Sequence, residues 1–202
     1  QGNWLVLSSA NYFLDDAKDL CEIQGWYYQF KGRNSIPLKL LMALNNWEAW
    51  RKDAQLNHLE IKNIYEYLGS HVLPGFQKGK TLHSDTKYLM RDCRAEHGLV
   101  TDSVWYEAFE GLDPMTETYI RNMRANGEMI NKNPRIIMST IHGAKGGEAD
   151  KVLLMQDITN AALETFSHDP DELHRLFYTG ATRAKRELHV LDPKDFDRAY
   201  IL

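Results

Sequence analysis

Three short stretches gather the residue types that could do chemistry. In STIHGAKGGEAD, residues 139–150, an apolar run passes into a glycine-rich turn that displays Thr140, His142, Lys145 and Glu148. Gly143, Gly146 and Gly147 let the backbone turn tightly and let a ligand come close. A hydroxyl, an imidazole and backbone N–H groups on one turn suit a phosphodiester, and a carboxylate suits a ribose hydroxyl. A plain strand–loop junction has the same composition. In the second stretch, DELHRLFYTGATRAKRELHVL (171–191), helical spacing over 170–186 puts Leu173, Leu176, Phe177, Gly180, Ala181 and Ala184 on one face. Arg175, Thr179, Arg183 and Arg186 then share the opposite face. A guanidinium fork aimed at phosphates needs such a cluster, but so does an ordinary solvated face. Spacing alone does not decide.

The third stretch, GFQKGKT (75–81), imitates a phosphate-binding P-loop. That loop follows G-x-x-x-x-G-K-[ST], whose backbone N–H groups wrap the phosphates. Gly75 and Gly79 enclose three residues rather than four, and Pro74 just before has no N–H to offer. A flexible glycine- and lysine-rich loop is the better reading. KVLLMQD (151–157) similarly imitates an acid-tipped Walker B strand, but Ile158 stands where a second carboxylate belongs. It reads as a structural strand ending in Asp157.

The elements that must position these residues are legible from pattern. WLVLSS reads as a buried strand, and Asn11 as a cap for a helix through YFLDDAKDLCEIQG. Asp15 and Asp16 lie in its first turn and Gly25 stops it. WYYQFKG returns as a strand, which makes a β-α-β unit, the mark of an α/β domain with a parallel sheet. Between about 35 and 129, IPLKLLMALNNWEAW, LEIKNIYEYL, VWYEAF and PMTETYIRNMR predict a mainly helical insertion whose Trp and Tyr residues are core. The α/β pattern resumes with strands at RIIMSTI, KVLLMQD and RELHVL. The expected division is therefore 1–34 with 130–202 as one domain and 35–129 as the other.

Composition sets limits. The chain of 202 residues is 43% hydrophobic and 26% charged, as ordinary globular proteins are. No run approaches a membrane span, no basic-then-apolar leader opens the sequence, and two cysteines give no disulfide framework, so a cytoplasmic protein is expected. Cys93 and His97 have a zinc-like spacing without a second pair, and no metal is assigned to them. The net charge of −4 comes from 24 basic and 28 acidic residues, with 9 and 11 of them in 135–202. No basic arm or stripe exists, so any phosphate contact must come from a few placed groups.

Taken together, T-I-H-G-A-K-G-G-E followed by H-R-L-F-Y-T-G-A-T-R-A-K resembles motifs V and VI of UvrD/Rep-type superfamily-1 DNA helicases, in order and separation. The resemblance is strong over 135–191. It extends more weakly to VLSSANYFL and LEIKNIYEYL, with Ser9 standing where members often carry arginine. The resemblance implies a RecA-like second motor domain with a mainly helical insertion, and an ATP hydrolase acting on DNA. It implies that Arg183 is the finger reaching the γ-phosphate, that Glu148 contacts the ATP ribose beside Gly146 and Gly147, and that Thr140 and His142 contact single-stranded DNA. Lys145 would couple the two sites, and Arg175 and Tyr178 would support. ATP with Mg²⁺ is the implied cofactor. The P-loop and acid pair that hold the metal belong, in this family, to an N-terminal motor domain, expected upstream of Gln1 as the partner that completes the site; this chain alone would be inactive. The competing expectation is a non-catalytic module that binds nucleic acid or protein through vestigial motifs, favoured by the net acidity and by Ser9.

Overall fold

The computed structural model describes residues 2–69, 72, 82–128, 133–144 and 146–202. The chain divides into two compact units, 1–35 with 121–202, and 36–120.

The first unit opens with strand β1 (Trp4–Ser8), a 3-10 turn (Asn11–Leu14) and helix α1 (Asp15–Gln24). Asn11 does not cap α1 as its position suggests. It is the first residue of the 3-10 turn, and the residue preceding α1 is Leu14, which makes no side-chain cap. Asp15 and Asp16 do occupy the first turn, and Gly25 ends the helix at φ +65°. A Cβ at Gly25 would lie 2.3 Å from the backbone carbonyl carbon of Asn122, so only glycine fits. Strands β2 (Tyr28–Phe30) and β3 (Arg33–Asn34) follow as an antiparallel pair.

The second unit contains α2 (Leu38–Trp50), β4 (Leu56–Asn57), α3 (His58–Tyr65), β5 (Lys87–Tyr88), α4 (Met90–Glu96), α5 (Trp105–Ala108) and most of α6 (Pro114–Ala125). β4 and β5 pair antiparallel, and the rest is helical. Leu41, Leu44, Trp47, Trp50, Ile61 and Tyr65 are fully buried. The indole N–H groups of Trp47 and Trp50 donate to the carbonyls of Ser103 and Tyr88, both at 3.0 Å, so these large rings enter the core without an orphaned donor. Asn57 and Glu60 form a reciprocal capping box on α3. Burial pushes the Cys93 thiol up to about 11, which marks it as a packed side chain.

The chain then returns to the first unit with β6 (Ile136–Thr140), β7 (Ala149–Met155), α7 (Asn160–His168), α8 (Pro170–Ala181) and β8 (Ala184–Leu191). The sheet order is β3-β2-β6-β1-β7-β8, parallel throughout except at β2–β3. This is the mixed α/β, mostly parallel architecture of a RecA-like motor domain. Leu5, Leu7, Val152 and Leu154 pack one sheet face against Leu173 and Phe177 of α8. α1 lines the other face through Ala17, Leu20 and Cys21. No helix among the described residues is long and apolar enough to cross a membrane.

The α8 boundary overturns one expectation. The helical pattern over 170–186 stops at Ala181, and residues 184–191 are strand. Local propensity favours helix through Thr-Arg-Ala-Lys-Arg, but the free edge of β7 offers a ladder, and Ala149 N–H donates to the Arg183 carbonyl at 3.1 Å to begin it. Arg175, Thr179, Arg183 and Arg186 therefore do not share a helical face. Arg186 sits on β8, 3.7 Å from Asp150.

Candidate functional site

Residues 141–148 are the whole connection between β6 and β7, which flank β1 on opposite sides. Thr140 pairs with Ser8 at the C-terminal end of β1, whereas Lys151 pairs with Trp4 at its N-terminal end. Ala149 lies two residues below that level, so the connection descends six residue steps, about 20 Å at strand rise. Thr140 and His142 on the one hand, and Glu148 on the other, are thus at opposite ends of the sheet and not on one turn. The sequence shows a single glycine-rich loop, but only the register of two strands against a third reveals that it crosses the sheet.

At the upper end, Thr140 Oγ1 accepts from Gly143 N–H at 3.0 Å, and Ala144 N–H donates to the Thr140 carbonyl at 3.0 Å, closing one α-turn. Ile141 and Ala144 are buried beneath it, which aims His142 outward into solvent. His142 lines a small cleft of about 200 Å³ with Ser9, Thr159, Thr165 and Glu172. Ser9 Oγ donates to the Asp157 carbonyl at 2.8 Å. The Asp157 carboxylate, itself buried, accepts from Lys194 N–H at 2.9 Å. The residue that imitated a Walker B acid is a structural clasp.

At the lower end, Gly146 adopts φ +84° and Gly147 N–H donates to the Ala144 carbonyl at 2.9 Å. Glu148 is half exposed and 3.4 Å from Lys185, a pair too solvated to hold it firmly. Arg183 is brought here by the early end of α8. Its Nε donates to the Thr179 carbonyl at 3.0 Å and its N–H to the Gly180 carbonyl at 3.2 Å. The guanidinium therefore satisfies a terminal helix carbonyl with one nitrogen while its outer two make no bond among the described residues. Gly180 allows this placement: a Cβ there would be 3.1 Å from Leu154 Cδ1 and 3.4 Å from Ile141 Cγ2. Arg175 and Tyr178 are exposed, with Tyr178 at 71%, and stand apart from both ends.

A groove of about 360 Å³ runs beside Glu148, lined also by Ser139, Gly143 and Gln29. A larger apolar cavity, about 490 Å³, lies on the α1 side of the sheet and contains none of these groups. Chemistry, not volume, singles out the smaller groove. GFQKGKT and Lys145 lie outside the described residues.

What sequence reasoning missed is Gln29, Thr159 and Thr165. The cap signal of Thr159, whose Oγ1 accepts from Ala162 N–H at 3.0 Å, was readable and would have predicted α7. Residues 110–192 match the family described as UvrD-like helicase C-terminal domain. The match spans the crossover, α8 and β8. No curated protein matches the chain.

Proposed function

Because the chain carries a UvrD-like helicase C-terminal domain over residues 110–192, we propose that it is the second motor half of an ATP-dependent DNA translocase. A P-loop-bearing motor domain completes its nucleotide site. Glu148 and Arg183 face that site from the lower end of the sheet; Thr140 and His142 face the DNA backbone from the upper end. The observation that carries this reading is the crossover, one covalent segment that ends in the presumptive DNA contacts above and in the nucleotide contacts below.

The groups present fit a nucleoside triphosphate. Glu148 is weakly engaged and free to exchange Lys185 for a ribose diol. Gly146 and Gly147 leave room for close approach. Arg183 is anchored through Nε with two donors left over, the form in which a guanidinium can meet a phosphate. ATP supplies the leaving group and the charge that Arg183 stabilises; Mg²⁺ and the attacking water are held by the P-loop domain. Closure on ATP pulls the lower end of the crossover, and the upper end moves with it. Lys145, Arg175 and Tyr178 take supporting parts in this scheme.

The test is ATP turnover on single-stranded DNA by the protein together with a P-loop motor domain. Arg183→Ala should lower turnover by about 10³–10⁵, the range for an arginine finger, and leave DNA binding in place. Full activity in Arg183→Ala, or turnover by the 202-residue chain alone that disappears with Lys80→Ala, would sink the proposal. DNA binding indifferent to nucleotide in the two-domain protein would instead identify a non-catalytic module.

A further inference from the structure

A ribose contact at Glu148 accounts for one wall of the groove beside it and leaves the rest unused. The groove lies on the sheet face that bears Ile137 and Ser139, and at about 360 Å³ it has the size of a small-molecule site. Ile137 is 40% exposed there, an apolar surface on an otherwise polar floor. Gln29 is its neighbour across the β2–β6 pair.

The carboxamide of Gln29 is oriented by its own bonds. Its Nε2 donates to Asn34 Oδ1 at 3.3 Å, and the Asn34 side chain is hydrogen-bonded in turn to the Tyr27 hydroxyl. This chain of bonds assigns which end of the Gln29 amide is nitrogen. Left over are the Oε1 acceptor and the second N–H of Nε2, side by side, with no partner among the described residues. One acceptor beside one donor complements the N6 amino group and N7 of adenine. Guanine presents two acceptors, O6 and N7, on the same edge, and would set O6 against Oε1.

Geometry agrees with the chemistry. β2 lies two strands from β1, about 10 Å, and β1 is the strand that the crossover passes on its way to β7. That span is the length of a nucleoside from ribose to base edge. Gly143, whose missing Cβ would fall 2.7 Å from Ser139 Oγ, keeps the space between them open.

We propose that Gln29 reads the adenine base and is the residue through which this domain prefers adenine to guanine nucleotides. The inference rests on the ribose contact at Glu148. It is tested by titrating the chain with AMP, GMP and ribose 5-phosphate, following the backbone amide resonances of Ile137, Ser139 and Gly143. AMP should bind about tenfold more tightly than GMP. Gln29→Met, of similar length without the amide, should bring the ratio near one and leave ribose 5-phosphate binding unchanged. Gln29→Arg, which offers donors only, should tip the ratio toward GMP. An unchanged ratio in Gln29→Met overturns this inference while leaving the Glu148 contact standing. No shift at these amides with any of the three ligands overturns both.

Discussion

Arg183 has two tasks that substitution can separate. Its Nε closes the end of α8 on the Thr179 carbonyl, and its outer nitrogens remain for a phosphate. Arg183→Lys keeps the charge but not the planar fork, so it cannot do both at once. Turnover in the two-domain protein should therefore stay within about tenfold of Arg183→Ala, while the urea midpoint stays near wild type. Gly143 makes a steric prediction. Gly143→Ala sets a Cβ against Ser139 Oγ and should cost about 1–3 kcal/mol of stability. Adding Ser139→Ala should recover part of that loss in the same urea titration, and no recovery would show that the clash lies elsewhere. Burial pushes the Cys21 thiol up to about 12. The unfolded thiol ionises near its ordinary value of 9.0, so the native state retains a proton that the unfolded state loses. The stability contributed by Cys21 is complete below pH 9 and lost as pH rises toward 12. Cys21→Ala should flatten the decline in denaturation midpoint over that window.

Among the elements, those whose pattern is set locally were legible. β1, β6 and β7 are short β-branched or leucine-rich runs, and α1 has its acidic first turn and its stopping glycine. The α/β class and the helical character of 36–120 follow from the same cues. What escaped depended on partners distant in sequence. Residues 182–186 have helix-forming composition, and only the open edge of β7 turns them into strand, which moves Arg183 from a helix face to a loop. The pairing of β1 with both β6 and β7 has no local signature, so the spread of the site over two ends of the sheet was hidden, and Gln29 looked like any strand residue. The approach of α8 to the sheet gives this scale its prediction. Gly180→Val places branched carbons where Leu154 and Ile141 already crowd, and should cost about 1–3 kcal/mol. Because Arg183 is three residues further on, turnover should fall by more than the stability loss explains. Proportionate losses would show that α8 does not position Arg183.

For the whole molecule, charge is the informative quantity. With a net charge of −4 and no basic stripe, binding to single-stranded DNA must rest on two or three placed contacts. Each releases about 0.7 of a counterion, so log K against log salt should fall with a slope of about −2. Anisotropy titrations of a labelled oligonucleotide at several salt concentrations measure it directly. A slope several times steeper would mean a broad electrostatic footprint and would displace Thr140 and His142 as the main contacts.

The crossover has one more consequence, in its length. From Thr140 to Ala149 the chain must fall about 20 Å and move sideways two strand spacings, about 10 Å, a straight distance of about 22 Å. It has nine residue steps for this. The α-turn at 141–144 uses three of them for about 5 Å, and the other six reach at most about 20 Å. Barely 3 Å is in reserve, less than one residue. The segment is a nearly taut strap with no slack to absorb a tug at either end, and one residue removed from it would leave it too short to reach.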